Sequence, residues 1–138
     1  MGSPFDMEEV YINQLHDLED EVARINAFLN APAPRDLESL TERLSTITGL
    51  NARTGEMLAD AEYILALQRG EALARLLEED PKMPAGQQKT MVDSECAYAT
   101  KICRLIERAN RSTVHAGEAY VTLVSSAKEE MSLSRKGY

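Results

Sequence analysis

The chain has 138 residues, enough for one domain with a buried core, and a formal net charge of −8. This charge disfavours broad, nonspecific binding to nucleic acids or anionic membranes, and no apolar run reaches the roughly 20 residues of a membrane span. Tryptophan is absent and aromatic residues make up 5%, a composition that favours helices over a sandwich or barrel. We therefore expect an all-α protein.

The first predicted helix runs from about residue 6 to residue 30. Its apolar residues recur at steps of three and four, which is the spacing of one helix face. They are Tyr11, Leu15, Leu18, Val22, Ile25 and Leu29. Acidic residues concentrate toward the start of this segment, where they interact favourably with the helix dipole.

The second predicted helix spans about residues 34–79, between two proline-containing segments. The rhythm of three and four continues through "STITGLNARTGEMLAD" (45–60), although this stretch contains Gly49 and Gly55. A loop would need no such register, so the pattern favours one long helix. The alternative is a sharp bend at 48–55, which would divide the helix and give a four-helix monomer.

The third predicted helix covers about residues 87–134. Two neighbouring apolar stripes give it a wide face, as in a bundle rather than a two-stranded seam. Cys96 and Cys103 lie on one stripe, about 10 Å apart along the helix, too far for a disulfide. Because the N-terminal segment also lacks the basic region and apolar core of a signal peptide, we expect a reduced, cytoplasmic protein.

The short connection between the second and third helices makes them antiparallel neighbours. Folding the chain at the second proline-containing segment places residues whose numbers sum to about 170 at one level. Asn51 and Thr54 then face the region of Asn110, Thr113 and Gly117, so we expect a level of small and polar residues within the hairpin. We interpret Gly49, Gly55 and Gly117 as sites of close helix approach or as a hinge.

The same reasoning lays the first helix along roughly residues 37–60 and leaves the loop-proximal half of the hairpin uncovered. Because large exposed apolar patches mark association surfaces, we predict a single domain over 1–138, a three-helix bundle-like fold completed by oligomerisation, with a homodimer favoured. The residues predicted for this interface are Ile64, Leu67, Leu73, Leu76, Leu77, Ile102 and Leu105.

Motifs for catalysis and metal binding fail on spacing. A phosphate-binding loop has four residues between its glycines and then Lys and Ser or Thr, whereas five residues separate Gly49 from Gly55, and Glu56 follows. A di-metal bundle needs Glu-x-x-His on two helices, which neither His16 nor His115 provides. The acidic pairs in "ESLTE" and "EMLAD" have the wrong spacing for a magnesium-binding pyrophosphatase bundle. We expect no catalytic, cofactor-binding or metal-binding residues, no cofactor and no enzyme.

Basic residues recur every three or four positions on the outer face of the third helix. They are Lys101, Arg104, Arg108, Arg111 and His115, and we call them the basic ridge. Like charges at this spacing repel one another. The ridge therefore indicates either pairing with acids of this chain, such as Glu107, or of a neighbouring helix or subunit, or a surface that binds phosphates or an acidic partner. No aromatic residue interleaves it, so base stacking is not expected.

The segments "RTGEMLADAEYILA" (53–66) and "SSAKEEMSLS" (125–134) resemble stretches of uncharacterised small helical proteins encoded by bacteriophages and prophages of gut bacteria. The resemblance implies a small, cytoplasmic, phage-related helical protein, and it implies no activity. We expect a non-enzymatic interaction or scaffold protein that oligomerises and contacts other proteins. The alternative is a nucleic-acid accessory protein that uses the basic ridge.

Overall fold

The computed structural model describes residues 7–137 of the chain. The predicted start of the first helix at residue 6 lies outside this range. Within it, the chain forms helices α1 (Met7–Asn30), α2 (Leu37–Glu79), α3 (Ala85–Glu95) and α4 (Ala97–Arg135). The prediction of an all-α protein is confirmed. None of the described helices is long and apolar enough to cross a membrane.

Helix α2 is one unbroken helix of 43 residues. It begins after Asp36, whose carboxylate accepts a hydrogen bond from the Ser39 N–H at 2.8 Å and so caps the first turn. The helix continues without interruption through Gly49 and Gly55. The division of the helix at 48–55, which the alternative monomer required, is therefore absent.

The single third helix predicted over 87–134 is instead two helices, divided at Cys96. The backbone there leaves helical geometry, with φ −99° and ψ 14°, although the Cys96 N–H still donates to the Val92 carbonyl at 3.0 Å. The Cys96 carbonyl accepts from both the N–H and the hydroxyl of Thr100, each at 3.0 Å. No Pro or Gly marks the position in the sequence.

Helices α2 and α4 are antiparallel, and polar side chains fix their register. Asn51 Nδ2 donates to Thr113 Oγ1 at 2.9 Å, and Asn110 Nδ2 donates to Thr54 Oγ1 at 2.8 Å. This register differs by about six residues from the predicted one. The chain reverses at 80–84, before α3, whereas the prediction placed the reversal farther along the chain.

Helix α1 packs against both α2 and α4 and creates what we call the three-helix body. Its core contains Tyr11, Leu15, Leu18, Val22 and Ile25 of α1, Met57, Ala61 and Ile64 of α2, and Ala99, Ile102, Cys103, Ile106 and Ala109 of α4. The prediction that α1 lies along 37–60 is therefore wrong in extent, because α1 reaches Ile64 and Ile102.

Residues 69–96 form the other region, which we call the two-helix tip. Here the end of α2 packs mainly against α3, Cys96 and Met83 of the turn. Its core is a separate cluster of Ala72, Leu76, Val92 and Cys96. A third cluster, of Leu40, Ile47, Tyr120 and Val124, closes the opposite end of the hairpin.

Candidate interaction surfaces

Four polar side chains form a hydrogen-bonded layer inside the hairpin: Asn51, Thr54, Asn110 and Thr113. Besides the two bonds between side chains of α2 and α4, Thr54 Oγ1 donates to the Asn51 carbonyl at 3.0 Å, and Thr113 Oγ1 donates to the Asn110 carbonyl at 2.6 Å. Both threonines are fully buried. The prediction of a shared polar level is confirmed. No buried side-chain N or O atom in the described part of the chain lacks a hydrogen-bond partner, so the layer holds the register of α2 and α4.

The glycines do not mark close helix approach. A Cβ atom added at Gly49 or Gly55 would meet nothing within 4 Å, because both residues lie exposed on the outer side of α2. At Gly117, the nearest atom would be Ile47 Cγ2 at 3.8 Å, an ordinary van der Waals contact. The interpretation as close-approach sites is wrong, and hinge motion at these residues stays a prediction.

The predicted oligomer interface is partly inside the protein. Ile64, Leu76 and Ile102 are buried within the chain, because α1 covers Ile64 and Ile102 while α3 packs on Leu76. Those three assignments are wrong. The other four residues retain some exposure: Leu73 is 38% exposed, and Leu67, Leu77 and Leu105 are half-buried.

All five residues of the basic ridge are exposed on α4. Among residues 7–137, ion-pair contacts are formed only at its two ends. Lys101 Nζ lies 3.5 Å from Glu19 Oε2, and His115 Nδ1 lies 3.9 Å from Glu118 Oε2, a contact that is ionic only when the histidine is protonated.

The three arginines in the middle of the ridge have no such partner. Among residues 7–137, Arg104, Arg108 and Arg111 make no hydrogen bond and no ion pair. Pairing within the chain, which was one predicted explanation of the ridge, accounts for its ends and leaves the middle unexplained.

A groove of about 550 Å³ runs between α1 and α2 on the other side of the body. Its apolar surface includes Val10 and Tyr63, which is 66% exposed. Asp17 on α1 and Asp60 on α2 contribute carboxylates to the groove. Within the described part of the chain, neither carboxylate has a hydrogen bond or ion pair.

An ion pair joins the two walls of this groove. Arg53 Nε and Nη2 lie 2.6 and 2.8 Å from the two carboxylate oxygens of Glu21. These hydrogen bonds from Arg53 lower the pKa of Glu21. The bidentate geometry fixes α1 against α2 and consumes both charges, so Asp17 and Asp60 remain the available charges there.

Sequence reasoning missed this groove. Its walls come from α1 and α2, and which residues face each other across it depends on how α1 docks against α2. One signal was present in the sequence: Tyr63 is a large aromatic residue outside the apolar stripe of α2, and large off-stripe residues are exposed unless a second surface covers them.

Tyr98 ties α1 to α4. Its hydroxyl donates to Glu19 Oε1 at 2.9 Å and lies 2.8 Å from His16 Nδ1. Burial, together with the hydrogen bond to Glu19, raises the pKa of Tyr98 to about 12, and the same hydrogen bond lowers the pKa of Glu19. The neutral Tyr98 hydroxyl donates to the ionised Glu19 carboxylate, so the pair links α1 to α4. Neither group is available as a catalytic base.

The remaining reactive groups are withdrawn from solvent. Cys96 and Cys103 are free and buried, and burial raises the pKa of both thiols, which keeps them protonated and unreactive. Over residues 7–137, no three His, Cys, Asp or Glu side chains are grouped to hold a metal ion.

Comparisons with protein-family models, curated proteins and solved structures find no significant match for this chain. Two surfaces group charges of one sign that have no ion pair among residues 7–137. One is the basic ridge on α4, and the other is the acidic groove between α1 and α2.

Proposed function

We propose that the protein is a non-enzymatic helical interaction or scaffold protein that acts through oligomerisation and protein–protein contacts. The observation that carries this proposal is the row of Arg104, Arg108 and Arg111, exposed and without a partner among the described residues. Like charges at this spacing destabilise a helix slightly. An acidic surface on another molecule would relieve that repulsion, so the ridge has the character of a docking surface.

The acidic chain favours a protein partner over a polyanion. The net charge of −8 repels nucleic acid at long range. A small acidic patch on a protein partner would contact the ridge alone, where the local charge is positive. A cytoplasmic, phage-related setting belongs to the same proposal and rests on the resemblance of 53–66 and 125–134 alone.

Light scattering of the purified chain tests this function. We expect a mass above that of one chain at low ionic strength, and we expect the mass to rise with protein concentration. A mass of one chain at every concentration would remove the oligomeric function.

The second candidate function is a nucleic-acid accessory protein, and the same three arginines favour it. In that case the affinity for a labelled oligonucleotide falls steeply with salt, because each phosphate contact releases counterions. Lys101→Glu/Arg108→Glu is expected to abolish the binding. Binding that this variant leaves unchanged would remove the candidate.

A further inference from the structure

We propose that the basic ridge of one copy is received by the α1–α2 groove of a second copy, so that the protein assembles head to tail. This inference rests on the proposed oligomeric function and names the two surfaces that meet. Its basis is charge complementarity between two surfaces that each contain charges without partners.

The charges match in sign and availability. The middle of the ridge offers Arg104, Arg108 and Arg111, and the groove offers Asp17 and Asp60. None of these five side chains has a hydrogen bond or ion pair within residues 7–137. A ridge docked in the groove would therefore form new ion pairs without breaking existing ones.

The shapes match as well. A groove between two helices is the natural seat for a third helix, and the ridge is one face of a helix. Arg104 and Arg111 are about 10 Å apart along α4 at 1.5 Å per residue, so one face presents two turns of arginines. Their aliphatic stems would cover the apolar surface at Val10, and a guanidinium would rest on the exposed ring of Tyr63.

The topology prevents the two surfaces from meeting within one chain. Helices α1, α2 and α4 contact one another pairwise, so the groove between α1 and α2 lies opposite the outer face of α4. Each copy then presents one ridge and one groove on opposite sides. Such a contact is heterologous, and it continues into a chain of copies or closes into a ring.

A polyanion explains less of the structure. Binding of nucleic acid would leave Asp17 and Asp60 without a role. A second copy accounts for the ridge and the groove together.

Two charge-reversal variants test the contact, each with a matched control. The ridge variant is Arg104→Glu/Arg108→Glu, and its control is Lys82→Glu/Lys128→Glu. The groove variant is Asp17→Lys/Asp60→Lys, and its control is Glu78→Lys/Glu129→Lys. All eight positions are exposed, and circular dichroism verifies that each variant retains its helices. Sedimentation velocity at about 0.05 M and about 0.5 M NaCl measures self-association.

Wild type and both controls are expected to assemble at low salt and to dissociate at high salt. Each test variant alone is expected to weaken self-association at least tenfold, as expected when like charges face each other across a contact. Mixing the ridge variant with the groove variant is expected to restore assembly, because opposite charges then face each other at both contacts.

Three results would overturn the inference, and they separate it from the proposed function. If wild type never exceeds the mass of one chain, both fail. If both variants assemble like wild type, the ridge–groove contact fails while the oligomeric function stands. If the ridge variant keeps its assembly but loses affinity for a labelled oligonucleotide, the contact fails and the nucleic-acid function gains support.

Discussion

The three-helix body and the two-helix tip use the same apolar rhythm of three and four, yet they bury it to different extents. In the body, Met57, Ile102 and Ile106 are fully buried, because α1 covers the seam between α2 and α4. In the tip, Leu76 is buried while Leu73 and Met91 remain exposed. The presence of α1 as a third packed helix, and not the apolar stripe itself, determines how much of an apolar face is buried.

Two ion pairs lie on the surface of the tip. Arg69 Nη1 lies 2.9 Å from Asp93 Oδ1, and Arg75 pairs with Glu95. All four side chains are substantially exposed, and exposed pairs contribute little to stability. We therefore expect the tip to open more readily than the body, as regions with few buried contacts do.

The largest expected effect compares one core residue from each region. Ile106→Ala should lower the free energy of unfolding by about 4 kcal/mol, whereas Leu76→Ala should lower it by about 2 kcal/mol, because the smaller tip cluster relaxes more easily around a cavity. Urea unfolding followed by circular dichroism measures both values. An equal or larger loss at Leu76 would contradict the difference between the regions.

The next prediction tests whether the body depends on its polar layer. Asn110→Ala removes the donor to Thr54 Oγ1, and also a bond to the Asn51 carbonyl at 3.3 Å. We expect a loss of about 1–3 kcal/mol, since it leaves buried polar groups without partners. The exposed Asn13→Ala is the control and should change stability by less than about 0.5 kcal/mol. Similar losses for both variants would make the layer unimportant.

Glycine replacements sharpen the comparison on the outer face of α2. Gly55 in the body and Gly70 in the tip are both helical, and an added Cβ at either meets nothing within 4 Å. Each change to Ala should stabilise its helix by about 0.5–1 kcal/mol. We expect Gly55→Ala to raise the global free energy of unfolding, and Gly70→Ala to slow hydrogen exchange mainly in the tip. A destabilised Gly55→Ala protein would indicate that the backbone there needs its glycine.

The smallest expected effect concerns the ion pair that holds α1 in the body. The pKa of Glu21 is lower in the folded protein than its ordinary value, so the pair contributes stability above the ordinary carboxyl pKa. That stability is lost as pH falls through the lowered pKa. Glu21→Gln should cost less than about 1 kcal/mol at pH 7, because the pair is partly exposed. The difference from wild type should vanish in acid.

Urea unfolding across a pH series measures this difference. The control is Glu42→Gln, which removes an exposed carboxylate on α2. A Glu21→Gln deficit that persists unchanged in acid would show that Glu21 acts through packing and not through its charge.

Local patterns were sufficient to predict much of the body. The apolar period of the first helix assigned Leu15, Leu18 and Val22 to one face, and all three are buried, because period is a property of one helix. The polar layer was predictable for a related reason. Asn51 and Asn110 occupy stripe positions where an apolar residue is usual, and each donates to a threonine hydroxyl on the other helix.

The errors concern the relations between helices. The extent of α1 along α2 depends on which ridges and side chains interlock, which a single period does not encode. That misplacement made Ile64 and Ile102 look exposed and hid the groove between α1 and α2. The division at Cys96 has no Pro or Gly beside it, so helix propensity does not locate it.

Each region contains one buried cysteine, and the rate at which that cysteine is modified reports how often the region opens. Cys96 belongs to the core of the tip and Cys103 to the core of the body, and a thiol reagent reaches either sulfur only when that region opens. Wild-type protein, without any substitution, therefore reports two opening rates in one labelling experiment. Modification of Cys96 is expected to precede that of Cys103. The difference between the two rates measures how much the packing of α1 slows the opening of the body.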